Sequence, residues 1–457
     1  MKLISTNPAK NYEVIGEVEV SSEEEIIKKV QRANLAQKKW QELGIEKRVR
    51  MLRKVTEALA KRKEDLAILA TREMGMPITQ SKADVEDAIG YFKWYLDNAQ
   101  KYLTPEITYQ NDSVVNEVFY EPIGTAAVIT PWNFPTSNFV WGCGQNLIVG
   151  NTVIFKHSEE CPLFGKLLEE IIQSCDLPEG VFSEIYGDGQ VGDFLVHQDV
   201  DVICFTGSTN VGKRLYKVAA EKFVKVVLEM GGSAPGIIFQ DADIDAAVEN
   251  VCAARFANCG QMCDALKRLL VHESKFDEVV KKMKTLLAAK KVGDPENEAT
   301  YIGPLVAQRQ LDSLELQIND ALRKGAKIVI GAQRPKHLKG AYYDPTLLTN
   351  IKSNMRVWQE EVFGPVLPIV AFRTEEQALE LANDTKYGLG AYVYTQDKEK
   401  AARIASQIQT GMVSVNAANY VQPSSPFGGN KQSGLGREHG KFGFAELTKA
   451  KVVAYHK

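Results

Sequence analysis

Cys263 stands in the run NCGQMCDALKR, four residues after Cys259. Zinc at that spacing would need further Cys or His ligands, and only His272 is near in sequence, so no metal is expected. A free thiol is otherwise a small core side chain or, as thiolate, a nucleophile. Gly260, Gln261 and Met262 precede Cys263, and Asp264, Lys267 and Arg268 follow it, a poor setting for core packing. Glu229 lies 34 residues upstream, at the end of an apolar run in VLEMGG. A buried glutamate beside glycines is either paired structurally or holds a raised pKa suited to general-base work.

Two segments have the chemistry to hold phosphate. In FTGSTNVGK, Phe205 to Lys213, the residues Thr206, Gly207, Ser208 and Thr209 follow a strong strand and open a helix. Exposed N–H groups and hydroxyls at a helix start favour an anion, and a plain N-cap reads the same way. Gly187, Gly189 and Gly192 match GxGxxG, but two strand–helix units precede them and the nearby Asp199 and Asp201 come too early for a ribose ligand. A set of turn glycines is the better reading there.

These groups must be positioned by a large α/β frame. At 457 residues the chain has room for about three lobes. Helical periodicity marks three segments: one from Ser22, which has capping-box spacing to Glu25, one from about Glu46 to Glu73, and one from about Gln80 to Tyr102. Thr108 to Phe119 alternates as a projecting hairpin would. Strands are expected at 125–130, 152–155, 182–185, 200–205 and 224–228, then at 236–239, 269–272, 327–330, 366–372, 390–394 and 411–415. Strand–helix alternation of this kind implies a doubly wound parallel sheet and a second α/β domain, with ligands at the strands' C-terminal ends. Pro122 to Phe155 holds no charged residue in 34 positions but is broken by three prolines and four glycines. It therefore reads as buried strand and loop lining a cleft, not a membrane span.

Fifty-five Lys and Arg against 58 Asp and Glu give a net charge of −3, with no basic surplus for nucleic acid or an anionic membrane. Seven cysteines without a framework suit reduced thiols in the cytoplasm. Small molecules and further copies of the chain are the expected partners.

PWNFP (131–135), FTGST (205–209), LEMGG (228–232), GQMC (260–263), EEVFGP (360–365) and PFGG (426–429) occur together in that order. In them the chain resembles the NAD(P)-dependent aldehyde dehydrogenase superfamily over nearly its whole length, and within it the bacterial succinate-semialdehyde dehydrogenase subgroup. The resemblance implies a Rossmann-like NAD(P)-binding domain (1–107 and 121–233), an α/β catalytic thiol domain (234–422) and small bridging segments (108–120 and 423–457) that join a homodimer or homotetramer. It implies a catalytic set of Cys263, Glu229, Asn133 and Lys156. Cys263 would attack the aldehyde carbon, Asn133 would stabilise the oxyanion with the Cys263 N–H, and Glu229 would activate the water that releases the acid. Trp132, Lys156, Ser158, Glu159, Gly207, Ser208, Met230, Glu361 and Phe363 are the implied cofactor contacts. A carboxylate at Glu159 would repel a 2′-phosphate, which favours NAD over NADP.

Phe134, Trp141, Met262, Asp264 and Phe427 are the implied substrate pocket. Two of them depart from the semialdehyde pattern. Asp264, directly after the thiol, would raise its pKa and repel an anionic substrate. Trp141 stands where that subgroup places an arginine for the substrate carboxylate, and it offers an apolar wall instead. Both weigh against succinic semialdehyde, although Arg255, Arg268 or Arg437 could supply the charge from elsewhere, so the expected substrate is either succinic semialdehyde or a small aliphatic or aromatic aldehyde. His157 replaces a more usual proline. A CoA-acylating enzyme is the alternative, and that branch usually lacks the glutamate found here at position 229.

Overall fold

The structure, a computed structural model, describes residues 1–456. Strands β1 (Lys2–Asn7) and β2 (Glu13–Glu19) form an antiparallel pair. Their faces are largely exposed, so they carry no hydrophobic signature and are not anticipated from the sequence. Helix α1 (Glu23–Glu42) starts as expected: Ser22 Oγ accepts from Glu25 N at 3.2 Å, and three glutamates fill its first turn. The segment expected as one helix from Glu46 to Glu73 is two, α2 (Ile45–Lys61) and α3 (Lys63–Met74). No Gly or Pro breaks them. Arg62 leaves helical geometry (φ −109°, ψ 16°), and Glu64 and Asp65 open the new first turn. Helix α3 ends on Gly75 at φ +81°, and α4 (Ile78–Leu103) follows.

Strands β3 (Glu106–Gln110) and β4 (Val114–Pro122) are the expected hairpin. Strand β5 (Thr125–Ile129) then enters the core. The uncharged run beyond it corrects its sequence reading. Its middle is continuous helix: α5 (Pro135–Phe139), a π-helical turn over Val140–Gly144, and α6 (Gln145–Val149). Side chains buried on nearly every side give no amphipathic period to read.

Alternation continues through β6 (Thr152–Lys156), α7 (Pro162–Gln173), β7 (Phe182–Ile185), α8 (Gly189–Val196), β8 (Val202–Thr206), α9 (Thr209–Lys222) and β9 (Lys225–Glu229). The second half runs β10 (Ala234–Ile238), α10 (Ile244–Phe256), β11 (Leu266–His272), α11 (Phe276–Ala288), α12 (Gln308–Arg323), β12 (Lys327–Ile330), β13 (Thr346–Thr349), α13 (Arg356–Gln359), β14 (Val366–Phe372), α14 (Glu375–Asn383), β15 (Tyr392–Tyr394), α15 (Lys398–Gln407) and β16 (Ser414–Val415). The chain closes with β17 (Gly434–Leu435), α16 (Gly440–Glu446) and β18 (Thr448–His456).

The first sheet has the order β17-β9-β8-β5-β6-β7 and the second β12-β13-β14-β11-β10-β15-β16. Both are parallel except for one antiparallel edge strand, β17 and β12, which the all-parallel expectation lacked. Two-residue β17 and four-residue β13 are too short to declare a period. Strand β18 pairs with β4 over nine positions, making the hairpin a three-stranded sheet. In the first sheet the chain proceeds outward from β5 through β6 and β7, then returns to β8 on the other side. The switch point, where α/β sheets bind ligands, thus lies at the C-terminal ends of β5 and β8.

Candidate active site

The segments leaving β5, β8 and β9 at that edge are Pro131–Phe134, Gly207–Thr209 and Met230–Gly231. They face the loop that enters β11, which carries Cys263, and the loop that enters β14, which carries Glu361 and Phe363. Between them lies a cavity of about 960 Å³, large enough for a dinucleotide-sized ligand and a small substrate. Trp132, Asn133, Phe134, Trp141, Gly207, Ser208, Glu229, Met262, Cys263, Asp264, Glu361, Phe363 and Phe427 all line it, joining most of the residues singled out in the sequence.

Cys263 follows a strained turn. Asn258, Cys259 and Gly260 take φ of +48°, +55° and +72° in succession, and a side chain at Gly260 would meet Gly364 O at 2.4 Å. The turn is locked by Asn258 Nδ2 donating to Asn133 O at 2.7 Å and by Val306 N donating to Gln261 Oε1 at 3.0 Å. Of the seven cysteines only Cys263 is not fully buried, and its open side is the cavity. Burial pushes its thiol well above the usual range and Asp264 pushes it further, while Lys267 opposes both. Lys267 Nζ donates to Cys263 O at 2.8 Å and to Gly232 O at 3.0 Å, and it pairs with Glu361.

Asn133 Nδ2 donates to Gln261 O at 3.0 Å, two residues before the thiol, and Asn138 Nδ2 donates to Asn133 Oδ1 at 3.3 Å. A donor amide is thereby fixed against the backbone two residues before Cys263, on the same cavity. Glu229 is buried and neither carboxylate oxygen has a hydrogen-bond partner. Burial raises its pKa well above the usual carboxylate range; Glu438 adds to the rise and Arg437 opposes it. Gly428, at φ +150°, leaves the room: a Cβ there would sit 2.6 Å from Glu229 Oε1.

The cavity also fits a dinucleotide by its backbone. Ser208 Oγ caps α9, whose first N–H groups have no intrahelical acceptors. Glu361 can approach only because residue 231 is glycine, where a Cβ would lie 2.1 Å from its carboxylate. Trp132 and Phe363 meet edge to face at 5.8 Å.

Four expected contacts lie outside this cavity. Lys156, Ser158 and Glu159 sit at the end of β6, one strand further out, where Lys156 Nζ turns to His157 O (3.0 Å) and Glu159 (3.5 Å). Met230 turns toward α9, into space left by Gly212. Of the GxGxxG match only Gly187 lies in the β7–α8 turn; Asp188 caps α8, Gly189 opens it and Gly192 lies within it, so the expected set of turn glycines is one turn glycine and two helical ones. Sequence reasoning missed Gln80, Asp84, Asp87 and Tyr91 of α4, and Glu438, all on the cavity wall. The α4 spacing of 80, 84, 87 and 91 was readable as one helix face, but nothing in the sequence showed what that face meets.

The chain matches the model of the aldehyde dehydrogenase family over residues 2–453. It belongs to that family. It is 35% identical over 425 residues to a succinate-semialdehyde dehydrogenase [NADP(+)] of Deinococcus radiodurans, covering 93% of this chain and 89% of that one. It is 37% identical over 454 residues to betaine aldehyde dehydrogenase of Bacillus subtilis, covering 97% and 92%. Among solved structures it is similar to a betaine aldehyde dehydrogenase of Staphylococcus aureus in complex with NAD+ and with a BME-modified cysteine, at a TM-score of 0.96 and 33% identity, covering 100% and 94%. The family's reaction is NAD(P)-dependent oxidation of an aldehyde, and the CoA-acylating alternative is not favoured. Among the described residues no helix is long and apolar enough to cross a membrane.

Proposed function

We propose that this aldehyde dehydrogenase oxidises an aldehyde that carries no carboxylate, through a covalent thioester on Cys263. The observation that carries the reading is that Cys263, Asn133 and an unpaired Glu229 line one cavity. The Cys263 thiol gives its proton to water, its thiolate sulfur then bonds to the aldehyde carbon as the carbonyl π pair moves to oxygen, and the resulting oxyanion is held by Asn133 Nδ2 and the Cys263 N–H. A bound nicotinamide supplies the hydride acceptor that converts this adduct to a thioester. Glu229, as carboxylate, takes a proton from water, whose oxygen displaces the sulfur and releases the acid. NAD is the favoured cofactor, supported by the Glu159 carboxylate beside Lys156. A homodimer or homotetramer is supported by Ile107, Tyr109, Val452 and Tyr455, left exposed on the three-stranded sheet, and a cytoplasmic location by the seven unpaired cysteines.

Charge supports the substrate class. All three arginines that might have held a carboxylate are committed elsewhere. Arg255 donates to Val366 O (2.8 Å) and Val362 O (3.1 Å), Arg268 to Ser233 O (3.1 Å) and Ala382 O (2.8 Å), and Arg437 to Gly429 O and Gly436 O. None of the three lines the cavity. Its wall beside the thiol instead holds Asp264, Asp87 and Tyr91, whose hydroxyl feels both carboxylates. Trp141 lies 5.5 Å from Tyr91 and 5.3 Å from Phe427, ring to ring. Aromatic faces beside carboxylates suit an uncharged or cationic tail. The test is a kcat/KM panel with NAD and NADP: butanal, benzaldehyde and an amino aldehyde should each exceed succinic semialdehyde by roughly tenfold or more. Preference for succinic semialdehyde would overturn the substrate reading.

A further inference from the structure

Gln80 and Asp84 stand four residues apart on α4, so they share one face of that helix. The buried Asp84 carboxylate accepts from Thr136 N at 3.1 Å through one oxygen and from Ser137 N at 3.2 Å through the other. It thus holds the segment that follows Asn133 directly. One turn earlier, Gln80 Oε1 accepts from Asn258 N at 2.7 Å, and Gln80 Nε2 donates to Tyr301 O at 3.0 Å. It thus holds the left-handed turn that leads to Cys263. The two held segments meet where Asn258 Nδ2 donates to Asn133 O and Asn133 Nδ2 donates to Gln261 O.

We infer that Gln80 and Asp84 are a two-point clamp, positioning residues that set the Asn133 amide against the Cys263 sulfur across the domain cleft. The inference rests on the reading of Cys263 as the covalent group and Asn133 as its oxyanion donor. Neither segment is tied to the other by sheet hydrogen bonds: one leaves β5 of the first sheet and the other enters β11 of the second. A rigid helix that grips both is the element that can fix their separation. Charge develops on the oxyanion only in the transition state, so misalignment of the donor slows acylation without weakening ground-state binding. Asp84 also fits this role better than that of a substrate ligand, because both of its oxygens are occupied by backbone donors.

The test uses D84N and Q80A in the full-length enzyme, with Q80E as the conservative partner that keeps the acceptor for Asn258 N. Three quantities are measured: the rate constant of the NADH burst at saturating aldehyde, the aldehyde concentration that half-saturates that rate constant, and the rate of Cys263 alkylation by iodoacetamide, which needs the sulfur but no oxyanion donor. The clamp predicts a burst slowed about tenfold in D84N and in Q80A, recovery in Q80E, and unchanged half-saturation and alkylation. An unchanged burst, or a burst and alkylation slowed equally, overturns it. A raised half-saturation with a normal limiting burst would make Asp84 a substrate contact and also overturn it. If D84N does not fold, Q80A and Q80E carry the same comparison. A wild-type enzyme that forms no acyl adduct at Cys263 refutes the covalent reading itself, a failure distinct from that of the clamp.

Discussion

Replacing Glu229 by glutamine separates the two halves of the proposed cycle. The side chain is buried with both oxygens unpartnered, so the isosteric amide loses no hydrogen bond, and the fold should be little affected. What it loses is the carboxylate. A positioned general base contributes roughly 10²–10⁴ in rate, so kcat should fall by a factor in that range. With the Cys263 proton leaving to water, acylation on this reading does not use Glu229, so one equivalent of NADH per active site should still form in a burst, and the acyl adduct on Cys263 should then persist for intact-mass detection. The pH profile adds a second check. Burial and Glu438 hold Glu229 protonated above the usual carboxylate range. Because the carboxylate is the active form, wild-type kcat should rise with pH as that proton leaves. Glu438, itself pushed up to about 7 by burial, raises Glu229 once ionised, so E438Q should move the rise toward lower pH. E229Q should abolish it. Steady-state turnover of E229Q near that of wild type would refute the assignment, and so would loss of the burst together with turnover.

Cys263→Ala removes the atom proposed to bond to substrate and should abolish aldehyde oxidation while leaving NAD binding by fluorescence titration unchanged; retained turnover would reassign the nucleophile. Burial lowers the His157 pKa from 6.5 to about 3, with Lys156 adding to the effect, and neither ring nitrogen has a partner. The unfolded chain therefore takes up a proton that the fold excludes: this contribution to stability is complete above pH 6.5 and is lost as pH falls from there toward 3. At pH 5 the loss is about 2 kcal/mol. H157F, whose ring can keep the stacking on Phe164 at 5.5 Å, should gain that amount relative to wild type between pH 7.5 and 5 in urea titrations. An unchanged difference would mean that the imidazole is solvated in the native state.

The chemistry of this site was legible where a residue type had few uses. A lone half-polar loop cysteine, a glutamate ending an apolar strand beside two glycines, and hydroxyls opening a helix each point to a function through their own chemistry, and all three meet at one cavity. Strands buried on both faces, such as β8 and β14, were legible as apolar runs. What stayed hidden depends on partners distant in sequence. Lys267 reads as an ordinary strand lysine until the fold places its ammonium against Glu361, 94 residues away, and Asp84 reads as a solvated helix acid until the 136–137 backbone arrives 52 residues later. The helix over 135–149 was misread for a related cause: a segment enclosed by neighbours on all sides has no polar face to reveal its period. The same enclosure allows a π turn in that segment to direct Trp141 at the cavity while Gly142 packs on Val128, where a Cβ would come within 2.7 Å. On the proposed reading, substrate discrimination is built on the part of the chain whose structure is least determined locally. An arginine at position 141 would enter a cavity wall already set by Tyr91 and Phe427, with the buried His439 ring packed behind it, and Trp141→Arg alone should not create a semialdehyde dehydrogenase unless Asp264 is neutralised with it.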